Sequence, residues 1–437
     1  MKYGLITLLV SFFYFCGGLS TAFSQPDTTL IQTYYDSART VLKEKYFVLN
    51  NDSTQVQGLY QRFHEDGSLA TRASFAQGKL EGKLEDFYKD GSLQRVTPYQ
   101  QGIKQGQVVI FSPQGDTIQT ATYQEDKLQG ALRLYYNDGT IKSKTTFVDG
   151  KPEGAIENYY PNGKLQEVTT YKNGQQHGPA RYYYEDGSVK SEFTYQNAII
   201  DGLVTEYHRN GQLADQSNFR KGQRQGPSQS FSENGQLIRD ETYKNGFPDG
   251  VAKYYYNDGT LKAEMRYQNG KPVGEHKAYF ENGQLKSVTV YEQESRTEKE
   301  YFAEGGLKSE KTLTGKNKPQ GIWKTYYQNG QLEQEEPYTN GTLNGTVVSY
   351  YESGRIRSTQ DYRKGRRSGT GKVYYPSGEI KNETDYYFGV AQGNFRQYHE
   401  NGKLAVEGTY SGGKKTGKWT EYDQQGNEIK GEEYGKP

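Results

Sequence analysis

One spacing constrains this chain more than any other feature. Turn glycines fall at Gly67, Gly91, Gly115, Gly139, Gly163, Gly187, Gly211, Gly235, Gly259 and Gly283, every step being 24 residues. The next two steps are 22 and 25, to Gly305 and Gly330, and the period of 24 then resumes through Gly354, Gly378, Gly402 and Gly426. A degenerate seventeenth copy stands at the front, where Tyr34-Tyr35-Asp36-Ser37-Ala38 mirrors Tyr350-Tyr351-Glu352-Ser353-Gly354 with alanine for glycine. A unit this short cannot bury a core alone, so the copies must stack. The length of 437 residues, which suggests about three domains, is therefore a poor guide.

Two aromatic columns keep step with the glycines. All seventeen residues four before the anchor are Tyr or Phe, from Tyr34 and Phe63 to Tyr422. Eight after it the column runs from Tyr46 and Phe75 to Tyr434, broken only by Leu313. In eleven of sixteen glycine-bearing turns Asn or Asp precedes the anchor, the pair favoured in two-residue turns with positive φ. Flanking Tyr, Val, Thr and Phe suit strands, and Leu165 and Tyr171, six apart, share a face. Connectors such as Gly150-Lys-Pro-Glu-Gly154 and Gly270-Lys-Pro-Val-Gly274 turn the chain back and let a neighbouring ring lie on bare backbone.

The expected fold class is all-β, an elongated solenoid-like array of about 17 stacked antiparallel β-hairpins. Two strands per unit at about 4.8 Å spacing would give a ribbon roughly 160 Å long, twisted through roughly two turns. The expected divisions are a degenerate capping repeat at 25–57, regular repeats at 58–291, an irregular repeat or hinge at 292–320, and regular repeats with a cap at 321–437. Thr33–Tyr46 reads as part of the cap, with a short helix as the alternative. The connector Glu292–Glu300 contains no glycine and is dense in charge.

Composition fits this reading. Leu, Ile, Val and Phe fall below the roughly 20% expected of a chain with a large aliphatic core, yet 41 Tyr and 18 Phe are too many for a solvated tail. The 54 basic and 53 acidic residues nearly cancel, which argues against a surface built for nucleic acid. Residues 1–24 read as a secretory signal: Lys2, an apolar run from Leu5 to Phe15, and Ala22-x-Ser24 before Gln25. The alternative is lipid attachment at Cys16, although Phe13-Tyr14-Phe15 are bulky for that signal. Removal of 1–24 leaves no cysteine and no run long enough to span a bilayer. The expected location is the periplasm, cell envelope or exterior.

No constellation points to catalysis, a metal or a cofactor. His64, His208 and His399 share one repeat position but lie too far apart to meet, and read as a variable surface position; His177 and His276 are isolated. Gly412-Gly-Lys-Lys-Thr-Gly417-Lys418 resembles a phosphate loop but lacks the following Ser or Thr and any βαβ context. The second tyrosines beside the first column, Tyr136, Tyr160, Tyr184, Tyr256, Tyr327 and Tyr351, are the candidate binding lane. Strand alternation would place them opposite the first column, exposed for a peptide or a sugar, with packing on a two-faced sheet as the alternative.

The unit G-x-x-x-x-Y-Y-x-[ND]-G-x-L-x-x-x-x-x-Y-x-x-G-K-x-x-G, as in Gly154-Ala-Ile-Glu-Asn-Tyr159-Tyr160-Pro-Asn-Gly163 and Gly321-Ile-Trp-Lys-Thr-Tyr326-Tyr327-Gln-Asn-Gly330, resembles the bacterial variant of the MORN repeat, found in YwqK-family antitoxins. That resemblance covers about 33–434. It implies an antiparallel β array for protein or lipid contacts, no catalytic residues to carry over, and a toxin as one partner. A cytoplasmic antitoxin needs no secretion signal, so this chain departs from the label there. The first expectation is an exported scaffold for an unidentified protein partner. The alternatives are an antitoxin or immunity protein and an envelope polysaccharide binder.

Overall fold

A computed structural model describes residues 27–435; the expected signal and Cys16 lie outside them. The described residues hold 41 strands and no helix. Seven of the strands are two-residue pieces that continue into a six-residue strand after one unpaired residue, such as Lys79–Leu80 into Gly82–Phe87. Counting each such pair as one leaves thirty-four rungs, two per repeat. The chain divides into two compact units. One holds the described residues to Lys164 with Tyr171–Gly174; the other holds Leu165–Thr170 and the described residues from Gln175 onward. Within each unit, hairpin stacks on hairpin through antiparallel pairing.

The anchor turns differ from expectation. His64 N donates to Ser68 O and Gly67 N to His64 O, which leaves a three-residue loop. Gly67 takes a φ of 87° while Asp66 stays out of the left-handed region. Such loops need one left-handed residue, and glycine fills that place. Asp66 serves the turn through its side chain instead. Its carboxylate accepts the Ser68 amide and hydroxyl, closing the loop from the side. The same arrangement recurs at Asp90 and Asp138. Those hydroxyl and amide donors hold all three carboxyls below the usual range. The two-residue turns with both φ positive lie at the other end of the hairpin, at the connectors: Gln77-Gly78 has φ of 53° and 77°, and Asn245-Gly246 has 51° and 83°. At the front copy, where Ala38 replaces glycine, Arg39 becomes the left-handed residue and the Asp36 carboxylate accepts the Thr40 and Val41 amides. Thr33–Tyr46 therefore holds strand ends and a turn.

Rings of the later aromatic column sit opposite the glycine of an adjacent strand, except the first, Tyr46, which faces Ile31. In the first unit the pairs are Gly58↔Phe75, Gly82↔Tyr99, Gly106↔Tyr123 and Gly130↔Phe147. In the second they include Gly178↔Tyr195, Gly226↔Tyr243, Gly345↔Tyr362 and Gly417↔Tyr434. These rings stack with residues seven before the anchor: Tyr60 lies 5.7 Å from both Tyr46 and Phe75, and Trp419 lies 5.1 Å from Tyr410. Small residues fill what the rings leave. Tyr60 pairs with Ala73, Phe193 with Ala180 and Phe395 with Gly408. A Cβ on Gly408 would come within 2.1 Å of Trp419. The core is thus aromatic and Ala/Ser/Thr-lined, with volumes matched across the ladder.

The earlier aromatic column lies on the opposite face, because it stands three residues from the ring-stacking position on the same strand. There it meets cross-strand ion pairs: Arg181–Glu192 at 2.7 Å and Lys372–Glu383 at 3.1 Å. Tyr350 donates to Glu335 and Tyr422 to Glu407. These half-exposed pairs set register more than they stabilise.

Candidate functional site

The second tyrosines do not sit on strands. Strands end at the first aromatic of each pair, such as Tyr135, Tyr207 or Tyr255. Tyr136 opens the turn, its carbonyl accepting Gly139 N and its amide donating to Thr140 O. Alternation along a strand therefore does not govern where the side chain goes. Its hydroxyl instead reaches the following repeat: Tyr136 donates to Tyr159 O, Tyr184 to Tyr207 O, Tyr256 to Tyr279 O, Tyr327 to Tyr350 O and Tyr351 to Tyr374 O, at 2.7–2.8 Å. Tyr160 is half-buried like the other five and is also partnered. The six residues are thus half-buried, and five of the hydroxyls strut one hairpin against the next.

The strut also explains three histidines. Nε2 of His64, His208 and His399 lies 3.3, 2.8 and 3.0 Å from Phe87 O, Phe231 O and Tyr422 O, carbonyls that only accept. These side chains are half-buried and replace tyrosine at the strut position, which corrects their reading as a variable surface position. Tyr35, Tyr88 and Tyr375 complete a set of eleven such contacts.

A second inter-repeat link escaped the sequence reading. Where Gln, Glu, Asp or Asn stands just before a connector glycine, its side chain accepts the first turn amide of the next repeat. Glu81 accepts from Gln101, Glu153 from Asn173, Asp201 from Lys221, Asp249 from Asn269 and Gln392 from Gly412. The signal was present as a column of Gln, Glu, Asp and Asn at one connector position, but the eye follows the flanking glycines.

One carboxylate is buried in the aromatic core. Glu241, 6% exposed, accepts the hydroxyls of Tyr243 and Tyr254. Burial first, and Glu241 second, push both phenols upward. The carboxylate is saturated by its neighbours, with Arg239 3.7 Å away as well. Among the described residues no group of three His, Cys, Asp or Glu could hold a metal ion, and no helix is long and apolar enough to cross a membrane.

What the struts and braces leave free is the connector edge. Large apolar side chains stand exposed there: in the second unit Ile199 and Leu203, Phe247 and Val251 at the same two positions two repeats on, and further on Ile322, the turn residue Phe388, and Val390. Phe247 is 59% exposed and Phe388 63%.

The MORN repeat variant family matches eleven segments, from 128–149 and 152–173 through 272–293, and from 319–340 through 391–411, together more than half of the chain. No curated protein matches. Among solved structures, the TcdB2–TccC3–Cdc42 complex aligns over 90% of this chain and 27% of its own, at 11% identity and a TM-score of 0.15. The Photorhabdus luminescens Tc holotoxin pore aligns over 90% and 25%, at 10% identity and a TM-score of 0.14. The chain spans about a quarter of the length of those chains. Likenesses this faint say nothing about function.

Proposed function

The chain belongs to the MORN repeat variant family, and from that premise we propose that it is an exported, non-enzymatic repeat scaffold that holds another protein along its connector edge. The observation that carries the reading is the division of labour among side chains. Hydroxyls and amides that could bind a partner are already spent between repeats, whereas Ile199, Leu203, Phe247 and Val251 stand exposed in register. A few well-packed anchor residues contribute most of the energy at protein interfaces. The partner is therefore assigned to the edge and away from the tyrosine lane. Export rests on residues 1–24 alone.

A photo-crosslinking residue at Ile199 or Phe247, in cells making the full chain, should give one discrete protein adduct. The same residue at Glu310, on the ion-paired face, should give none. Equal labelling at both positions, or none at the edge, would sink the scaffold reading. Recovery of the chain from the cytoplasm in fractionation would sink export separately and favour a toxin as partner.

A further inference from the structure

One connector departs from all others in its chemistry. Arg363 and Arg366 face each other as direct cross-strand partners around the turn Lys364-Gly365, and Arg367 faces Tyr362. Like charges directly opposite on a ladder repel. At the same position other connectors place at most one cation, as in Val148↔Lys151, Gln268↔Lys271 and Ser411↔Lys414. Arg363, Lys364, Arg366 and Arg367 are all exposed, and none joins an ion pair among the described residues.

The adjoining turn is also unusual. Phe388 holds a φ of 49°, the sole aromatic among the described residues in the left-handed region. A bulky side chain there is unfavourable, and such cost persists where function needs it. Tyr387 packs edge-on to Phe388 with centroids 4.6 Å apart, and the two are 65% and 63% exposed. The turns adjoin: a Cβ on Gly389 would lie 3.7 Å from Arg366 Cβ. The guanidinium of Arg367 lies 5.3 Å over the Tyr386 ring. Between them these groups line a cavity of about 660 Å³.

We infer that this cavity docks an acidic segment of a partner polypeptide, its carboxylates on Arg363, Arg366 and Arg367 and an adjacent apolar side chain against Tyr387 and Phe388. The inference rests on the protein-scaffold reading and names the chemistry of the partner. Planar guanidinium groups pair carboxylates two bonds at a time, and a carboxylate between Arg363 and Arg366 relieves their repulsion. A membrane surface fits less well, since it rewards cations spread along an edge, and these four surround a single turn. A nucleic-acid backbone fits less well again, given a net charge of +1.

The test uses the full chain and a short fluorescent peptide of alternating Glu and Leu, read by anisotropy. Binding is expected, with loss of at least about tenfold in affinity for the Gln-for-Leu or Gln-for-Glu peptide. Arg366→Gln with Arg367→Gln should weaken it about tenfold or more. Phe388→Gly should weaken it while leaving the thermal midpoint unchanged or raised, because glycine is at home at that φ. That variant separates lost binding from lost folding. Equal binding of the Gln-for-Glu peptide, wild-type binding by Phe388→Gly, or binding only to phosphatidylglycerol vesicles or polygalacturonate would overturn the site. If the peptide fails while crosslinks at Ile199 and Phe247 form, this site falls and the scaffold stands. If crosslinks fail while the peptide responds to the variants, the site stands and the scaffold reading falls.

Discussion

The irregular segment 292–320 and the regular repeats on either side of it are built on the same ladder and share the cross-strand ion pair, Lys299–Glu310 here, yet differ in how the connector is built. In a regular connector the pairs Ala263↔Ala278 and Tyr267↔Pro272 are offset by a bulge that ends at Gly274. In the irregular one, Ser287↔Glu300 through Tyr291↔Arg296 run without any register shift. Omitting the bulge removes two residues, which accounts for the single step of 22 where 24 is the rule. The following step of 25 comes from the next turn, where Leu313 pairs with Pro319 across a loop one residue longer. With the bulge goes its glycine, so Arg296 faces Leu313 where a glycine elsewhere faces a ring. Phe302 occupies the strut position and, like Phe280 in the preceding regular repeat, has no hydroxyl to donate. Arg296 is held instead by Glu298 at 2.6 Å and by Asn317. Pairing nevertheless continues into Ser309↔Thr325, and ring stacking resumes at Trp323–Tyr338, 4.7 Å apart. Backbone pairing is thus enough to continue the sheet. The bulge and the length of the connector turn set the regular period.

That contrast can be broken from the regular side first. Gly345 combines a φ of 127° with a prospective Cβ 2.9 Å from Pro337. Gly345→Ala should cost about 2–4 kcal/mol locally, read as faster hydrogen exchange in Gly345–Tyr350 and Ile356–Arg363. Unchanged exchange there would mean that the bulge glycine is dispensable. Removing one strut should matter less. Tyr327→Phe leaves the ring and deletes the bond to Tyr350 O, an expected loss of about 1 kcal/mol. An equal loss from Tyr375→Phe would show that the strut acts alike in different repeats.

From the irregular side, Arg296→Gly with Leu313→Tyr restores a ring over bare backbone. A gain of about 1 kcal/mol in the opening free energy of Leu307–Thr314 is expected; a loss would show that Glu298 and Asn317 hold Arg296 more firmly than a ring would serve. The smallest effect concerns pH. Asp66, Asp90 and Asp138 have folded-state values below their unfolded ones. Their contribution is complete once pH exceeds the unfolded value and fades as pH falls through the folded one, below about pH 4. Replacing all three by Asn, which keeps the accepting oxygen, should flatten the acid limb of the melting-temperature profile. An unchanged limb would assign acid sensitivity to other carboxylates.

Much of this was readable from spacing. Seventeen hairpins, two aromatic columns and the pairing of rings with bare glycine follow from residues that recur at fixed distances. The exceptions were legible too: Leu313 and the glycine-free connector belong to one departure. What misled was local analogy. Asn-Gly and Asp-Gly are strong signs of a two-residue turn, yet here the Asp caps a three-residue loop and the tighter turns fall at Gln77-Gly78 and its equivalents. The expected orientation of the second tyrosines failed for a related reason, since a residue one past a strand end obeys no alternation.

The period, the number of hairpins and the all-β class were determined by the sequence alone, because they depend on which residue types repeat and how far apart. Only the tertiary structure decided what the polar side chains do. Tyr136, His208 and Glu153 meet carbonyls and amides roughly a full repeat away, and a bond of that kind has no local signature. The same holds for Arg363 and Arg366, whose repulsion exists only once the strands have paired.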